Sequence, residues 1–328
     1  MKTPLIASGL ILAAGMASAD APVLTIYTYD SFVSDWGPGP QVEAAFEENC
    51  GCDVRFVGAG DGAALLARIR LEGSGTEADI VLGLDTNLIA AARDTGIFAE
   101  HGVEASGLTL PVDWQDSQFL PYDWGYFAFV QNADMENAPT SFAELAASDA
   151  RIVIQDPRSS TPGLGLLMWV KAAYGDDAGE IWEGLADNIV TVTPGWSEAY
   201  GLFLEGEADM VLSYTTSPAY HLIAEGDASR IAAAFDEGHY LQIEVAGMVQ
   251  NSAHPELARQ FLDFMLSEAF QSVIPTTNWM YPAALPAEAL PEGFETLIQP
   301  ETALLFDPET AAEIRAEALE EWRAALSR

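Results

Sequence analysis

The 328-residue chain has little positive charge. Lys2 and Lys171 are its lysines, and 13 basic residues stand against 50 acidic ones, a formal net charge of −37. This excess argues against nucleic acid or an anionic membrane surface as a partner. It names no ligand: a solvated surface explains it, and its long-range field would also attract a cation. Cysteine is equally scarce, with Cys50 and Cys52 in CGC. A zinc site would need further soft ligands nearby, and none are present. In an oxidising compartment the pair is expected to close a small structural disulfide rather than serve a redox role, Gly51 giving the backbone freedom that so tight a ring needs. His101, His221, His239 and His254 fall in no metal motif such as HExxH. Neither a metal site nor a cofactor is expected. Gly195-Trp196-Ser197 resembles a nucleophile elbow only loosely, because Ala199 replaces the second glycine. Catalysis is therefore not expected.

Long apolar runs are also missing. Leu5 to Met16 is uncharged but too short to span a bilayer, and no later segment is long and apolar enough to insert. With Lys2 before it and Ala17-Ser18-Ala19 after it, that stretch reads as a signal peptide covering residues 1–19, which implies export. No cysteine follows at once, which argues against a lipoprotein anchor. Cleavage would remove Lys2 and no carboxylate, leaving the mature chain one charge more negative.

The mature length suits two domains. There is no repeat, low-complexity run or long linker. Strand-like runs at 23–29, 53–57 and 79–84 alternate with helical spacing at 40–49, 62–71 and 87–95, as in a mostly parallel α/β layer. Residues 119–132, FLPYDWGYFAFVQN, read as a long strand crossing between domains. A second alternation follows: strands at 151–155, 190–193 and 210–214, and helices at 141–147 (capping box Ser141 and Glu144), 165–174 and after Trp196. Residues 239–249 read as a strand returning to the first domain, and helices follow at 255–267 and 310–326. Two crossings make the first domain discontinuous, residues 20–124 plus 241–328, around a second at 125–240, with a cleft between them.

Candidate site residues share one placement, a loop that follows a strand and leads into a helix, where ligands collect in α/β folds. They are Tyr29, Asp30 and Trp36; Asp61 and Gly62; Asp85; Ser159, Ser160 and Thr161; Trp196; Tyr214, Thr215, Thr216, Ser217 and Tyr220; and Trp279 with Tyr281. Core aromatics lie inside apolar periodic runs, as Trp169 and Trp182 do. The loop aromatics sit instead among glycine, proline and carboxylates. Any one of them could merely pin domains together, but the set suits a flat organic cation, held on π faces and balanced by carboxylate. Ser159-Ser160-Thr161-Pro162-Gly163 offers hydroxyls and free N–H groups at a helix start, a seat for an anion or phosphate, although simple N-capping explains one of the hydroxyls. Arg158 could add charge there or form a surface ion pair.

Taken in order, YTYDSFVSDWGPGP, ADIVLGLD, YDWGYFAFV, QDPRSSTPGLGLL, GWSEAYGLFLEGEADMVLSYTTSPAYH, EGHYLQIEV and PTTNWMYP resemble the thiamine-binding periplasmic proteins of bacterial ABC importers, across essentially the whole mature chain. The CGC pair matches a C-x-C pair in that family. The resemblance implies a type II periplasmic binding protein fold: two α/β lobes, two hinge crossings and a ligand trapped in the cleft on closure. It implies thiamine and its phosphate esters as ligands, a membrane permease as partner, a periplasmic location, a monomer and no enzymatic activity. Carried onto this sequence, it places Asp61 and Gly62 near the aminopyrimidine and Tyr220 and Trp279 beside the rings. Tyr29, Trp36, Trp196 and Tyr214 would line the pocket. Thr215, Thr216 and Ser217, with Ser160 and Thr161, would bond the hydroxyethyl or phosphate end. The departure from typical members is the extreme acidity.

Three rival readings follow from the same residues. An aromatic cage also fits choline or a polyamine, which would leave the SSTPG seat idle. Related folds bind ferric iron through tyrosines, but adjacent paired tyrosines are absent here. A secreted thiaminase-like transferase would need a cysteine nucleophile in the cleft, and Cys50 and Cys52 lie away from these loops.

Overall fold

The protein is described by a computed structural model covering residues 21–327; the expected signal peptide lies outside the described residues. The first alternation runs β1 (Val23–Thr28), α1 (Gly39–Cys50), β2 (Asp53–Gly58), α2 (Gly62–Glu72), β3 (Ile80–Asp85) and α3 (Ile89–Arg93). The long crossing strand is β4 (Phe119–Asn132). Then come α4 (Phe142–Ala146), β5 (Ile152–Gln155), α5 (Thr161–Tyr174), α6 (Ala178–Leu185), β6 (Ile189–Thr193), α7 (Trp196–Leu204), β7 (Met210–Tyr214) and β8 (Arg230–Ala232). The return strand is β9 (His239–Met248), followed by α8 (Pro255–Phe264), α9 (Glu268–Gln271), α10 (Ile274–Thr277), β10 (Tyr281–Pro282), β11 (Ala303–Leu304) and α11 (Pro308–Leu326).

The main strand order is β2-β1-β3-β9-β4-β7-β5-β6. Strands β1, β2 and β3 are parallel, as are β5, β6 and β7, while β9 and β4 run antiparallel to their neighbours. Two α/β lobes therefore share one curled sheet. Along β4 the partner changes: Phe119 to Tyr126 pair with β9, and Phe127 to Gln131 pair with β7. Both crossing strands are buried over nearly their whole length. This is why they read as apolar runs rather than as alternating strands.

Local chemistry sets the element ends. Gly51, at φ +62°, stops α1 in a left-handed conformation that glycine adopts without strain. Ser141 caps α4 by accepting from Glu144 N at 3.0 Å, while the Glu144 carboxylate accepts from Thr140 N and not from the cap residue. The box expected from sequence is thus shifted by one residue on its return bond. Helix α5 begins four residues earlier than expected, because Ser160 is its cap and Pro162 sits in its first turn, where no N–H is needed. Helix α6 was not read from the sequence.

Each lobe has its own aromatic core. Phe46, Phe261, Phe264 and Phe270 pack between α1 and the α8–α9 pair. Phe129, Phe142, Trp169 and Phe235 fill the other lobe. The C-terminal helix α11, grouped with the first lobe in the sequence reading, packs mainly on α5 and α6. Lys171 of α5 pairs with Glu317 and Glu321, and Arg93 of α3 reaches Glu309 at 3.0 Å. Cys50, the last residue of α1, forms a disulfide with Cys52.

Candidate functional site

Between the lobes lies a cleft of about 510 Å3. Its aromatic wall is Tyr29, Trp36, Trp196, Tyr200, Tyr214, Tyr220 and Trp279. Trp36 and Trp196 meet across it with ring centroids 6.2 Å apart, and Tyr220 meets Trp279 at 5.5 Å. Trp36 remains half exposed, at 54%, as a residue at the mouth should. Trp279 is held at φ +55°, a left-handed conformation that costs a side-chain-bearing residue ~1–2 kcal/mol. Its N–H closes α10 on Ile274 O at 3.0 Å. Strain of this kind persists only where surrounding contacts fix the residue, and here the strained residue lines the cleft. Gly83, at φ +105°, leaves room for the Tyr29 ring, which an added Cβ would meet at 2.3 Å.

Among the described residues, Asp61 and Glu244 are the carboxyl groups that line the cleft, and no lysine, arginine or histidine lines it. Asp61 caps α2 and accepts from Gly62 N at 2.9 Å. Its other oxygen accepts from the Ser160 hydroxyl at 2.7 Å, so the caps of α2 and α5 are joined across the lobes. Ala64 N donates to Ser159 O at 3.0 Å beside them. Burial raises the Asp61 pKa, and the bonds from Ser160, Gly62 and Thr161 oppose that rise. Glu244 is 6% exposed and accepts from Tyr122 at 2.5 Å, Tyr29 at 3.0 Å and Gln242 at 3.0 Å. Burial pushes its pKa up to about 7, against the bonds from Tyr122 and Tyr29.

The geometry invites comparison with known proteins. Residues 34–272 match the family model for bacterial extracellular solute-binding proteins. The chain is 55% identical over 310 residues to the thiamine-binding periplasmic protein of Escherichia coli, covering 94% of each chain. It is 53% identical over 308 residues to the protein of that name from Brucella melitensis, covering 93% of this chain and 92% of the relative. A solved structure described as a periplasmic thiamin binding protein superposes with a TM-score of 0.91 at 54% identity, covering 94% of this chain and 97% of the other. The chain belongs to the thiamine-binding periplasmic protein family.

Within this family's two-lobed frame, the residues expected from sequence divide in two. Tyr29, Trp36, Asp61, Trp196, Tyr214, Ser217, Tyr220 and Trp279 come together on the cleft wall. Gly62, Ser160, Thr161, Thr215 and Thr216 do not line it. Ser160 and Thr161 are buried behind Asp61. Thr216 turns toward Met280 Sδ, 3.6 Å away, and Thr215 faces a small hollow on the far side of its loop. Asp85 is fully buried and bonds Asn87, while Asp30 holds Gly60 N at the surface. Arg158 pairs with Asp156 at 2.5 Å and so is a surface ion pair. Tyr281 stacks on Trp124 at 4.6 Å, outside the cleft lining.

The sequence reading missed Tyr200, Glu244, Thr276, Thr277 and Asn278. Tyr200 lies on α7, where helical spacing disguises it as core; it stacks on Trp196 at 4.9 Å, and His221 holds its hydroxyl at 3.0 Å. Glu244 did leave a signal. A lone carboxylate inside the buried run HYLQIEVAGM has no business in an apolar strand unless something pairs with it. Among the described residues, no group of three or more His, Cys, Asp or Glu could hold a metal ion, and no helix is long and apolar enough to cross a membrane.

Proposed function

We propose that the protein captures thiamine in this cleft and presents it, lobes closed, to the membrane permease of an ABC importer. The observation that carries the reading is a cleft walled by aromatics and lined by the carboxyl groups of Asp61 and Glu244, with no cationic side chain of the described residues on its wall. Thiamine joins a neutral aminopyrimidine to a permanently cationic thiazolium. Aromatic faces and a buried carboxylate attract such a cation far more strongly together than in water. In this reading Asp61 meets the polar pyrimidine edge, Tyr220 and Trp279 flank the rings, and Ser217 bonds the hydroxyethyl end. Gly62, Ser160 and Thr161 act from behind by fixing Asp61.

We extend the reading to thiamine phosphate esters. Their anionic end would take hydroxyls of the rim and the N–H groups opening α7, whose cap residue Gly195 offers no side chain to satisfy them. Closure would bend β4 near 124–127 and β9 near 239–241, between the lobe of residues 20–124 with 241–328, less α11, and the lobe of residues 125–240, on which α11 packs. Ligand contacting both lobes favours the closed state by its differential affinity. The protein acts as a monomer and performs no chemistry on its cargo.

Calorimetric titration of ligand-free protein tests this. One-to-one binding of thiamine, much weaker in Trp279→Ala and Asp61→Asn, is expected. Tighter binding of choline than of thiamine would refute the assignment.

A further inference from the structure

Glu244 sits in a row of carboxyl groups drawn from three adjacent strands. In register, Asp85 of β3 lies opposite Glu244 of β9, and Glu244 lies opposite Asp123 of β4. Directly paired residues hold their Cβ atoms ~5 Å apart on one face, so like charges there repel. Both ladders shift register beside these pairs, between Leu82 and Leu84 and between Pro121 and Asp123. Bulges of this kind re-aim side chains next to functional sites. All three groups are buried. Asp123 bonds Asn278 at 2.6 Å through one oxygen, and its other oxygen is buried without a partner.

Among the described residues, no lysine or arginine pairs with Glu244. Tyr29 and Tyr122 donate to it, Gln242 donates from its own strand, and Asp61 faces it from the α2 cap. Tyr214 feels its charge from β7. The nearby cation is Arg315 of α11, which acts on Asp85 behind the row. Three buried carboxyls and Asp61 cannot all ionise in so dry a place, so protons must neutralise some of them when the cleft is empty. Burial and the neighbouring Glu244 raise the Asp123 pKa well above the usual carboxylate range. Glu244 is the member of the row that lines the cleft.

We propose that Glu244 is the charge-matching group of the site, and that an organic cation enters the cleft in exchange for a proton from this carboxyl. The proposal rests on the reading of the cleft as an organic-cation site. The exchange balances: the Glu244 O–H bond breaks, its proton leaves to solvent, and the carboxylate left behind neutralises the ligand's fixed charge. The cleft keeps its net charge, and Tyr29 and Tyr122 hold the carboxylate in place. A permanent cation gains from this exchange, and a neutral ring of the same shape does not.

The test is calorimetry of thiamine binding to ligand-free protein between pH 6 and pH 8, in two buffers of different protonation enthalpy. Proton release is expected at pH 6.5, fading toward pH 8. Because Glu244 titrates at about 7 in the empty site, affinity at pH 6 should be roughly tenfold weaker than at pH 8. Glu244→Gln should abolish both the release and the slope and bind at pH 8 at least as weakly as the native protein does at pH 6. Thiamine binding with buffer-independent heat and a flat pH profile would overturn the proposal while leaving the ligand assignment intact. A Glu244→Gln protein that keeps the native slope would also overturn it, since another carboxyl would then be exchanging. No thiamine binding at any pH would overturn the ligand assignment, and the proposal with it. The native measurements decide the matter even should the variant not fold.

Discussion

Replacing Ser160 by alanine should weaken ligand capture without unfolding the protein. Ser160 Oγ donates to the buried Asp61 carboxylate at 2.7 Å across the two lobes. A hydrogen bond to an ionised group contributes ~1.5–3 kcal/mol. Its other role, capping α5, is slight, because Gly163 N lies 3.5 Å away, at the outer limit for a hydrogen bond. In the closure proposed above this bond forms only when the lobes meet, so nearly all of the loss should fall on the closed state that joins Asp61 to Ser160. That predicts a thiamine Kd about 10- to 150-fold weaker, with little change in the melting temperature of the ligand-free protein. Removing a bond that lowers the Asp61 pKa also lets burial raise it further, so the deficit should widen as pH falls. Calorimetry at pH 6 and pH 8, with thermal unfolding alongside, measures all three. A Kd within twofold of the native value at both pH values would show that the bound state does not depend on this bond.

Gly62→Ala should be more damaging still, since a Cβ would meet Thr161 Oγ1 at 2.2 Å and Gly83 O at 2.8 Å; a variant that binds normally would mean that the two caps need not approach so closely. The empty protein should lose stability as pH rises from about 4.5 to about 7. Glu244 has a raised pKa in the folded state, so folding takes up a proton in that window, and its contribution is present at low pH and gone above it. The span corresponds to about 3 kcal/mol. Urea unfolding at pH 5 and pH 8 reads it, and Glu244→Gln should shrink the difference; an equal difference in the variant would place the linkage on other groups. Replacing Cys50 and Cys52 together by serine should leave the Kd unchanged, because neither lines the cleft; a clear loss of affinity would show that the end of α1 reaches the site.

Much of the fold was legible because its elements are marked by strong local chemistry. Residues 119–132 and 210–214 were bounded as observed, since a run dense in aromatic and β-branched residues between polar turns has few alternatives. Helix α6 was passed over although Trp182 and Leu185 mark its apolar face, for it is only eight residues long and begins straight after a single 3-10 turn. Loop aromatics were the readable part of the site: Trp36, Trp196, Tyr220 and Trp279 stand out against glycine, proline and hydroxyl neighbours. Tyr200 was hidden by its helix and Thr276 to Asn278 by a turn without chemistry of its own. The hydroxyls of Ser160 and Thr161 were visible, but a sequence cannot say that they face Asp61 and not the ligand, because that depends on how two separate helix caps meet. The register that aligns Asp85, Glu244 and Asp123 is likewise a property of the assembled sheet, and no spacing along the chain encodes it.

The place of β9 in the sheet has a bearing on how the molecule is made. It lies between β3 and β4, yet comes from residues 239–248. The N-terminal lobe therefore cannot close its sheet until synthesis has passed Met248, well over a hundred residues after β3 is finished. At usual elongation rates this interval is on the order of 10 s. Until then β3 has an open edge and little to hold it, and pairings so distant along the chain form slowly in any case. The N-terminal lobe thus completes its sheet only after about three-quarters of the sequence has been made.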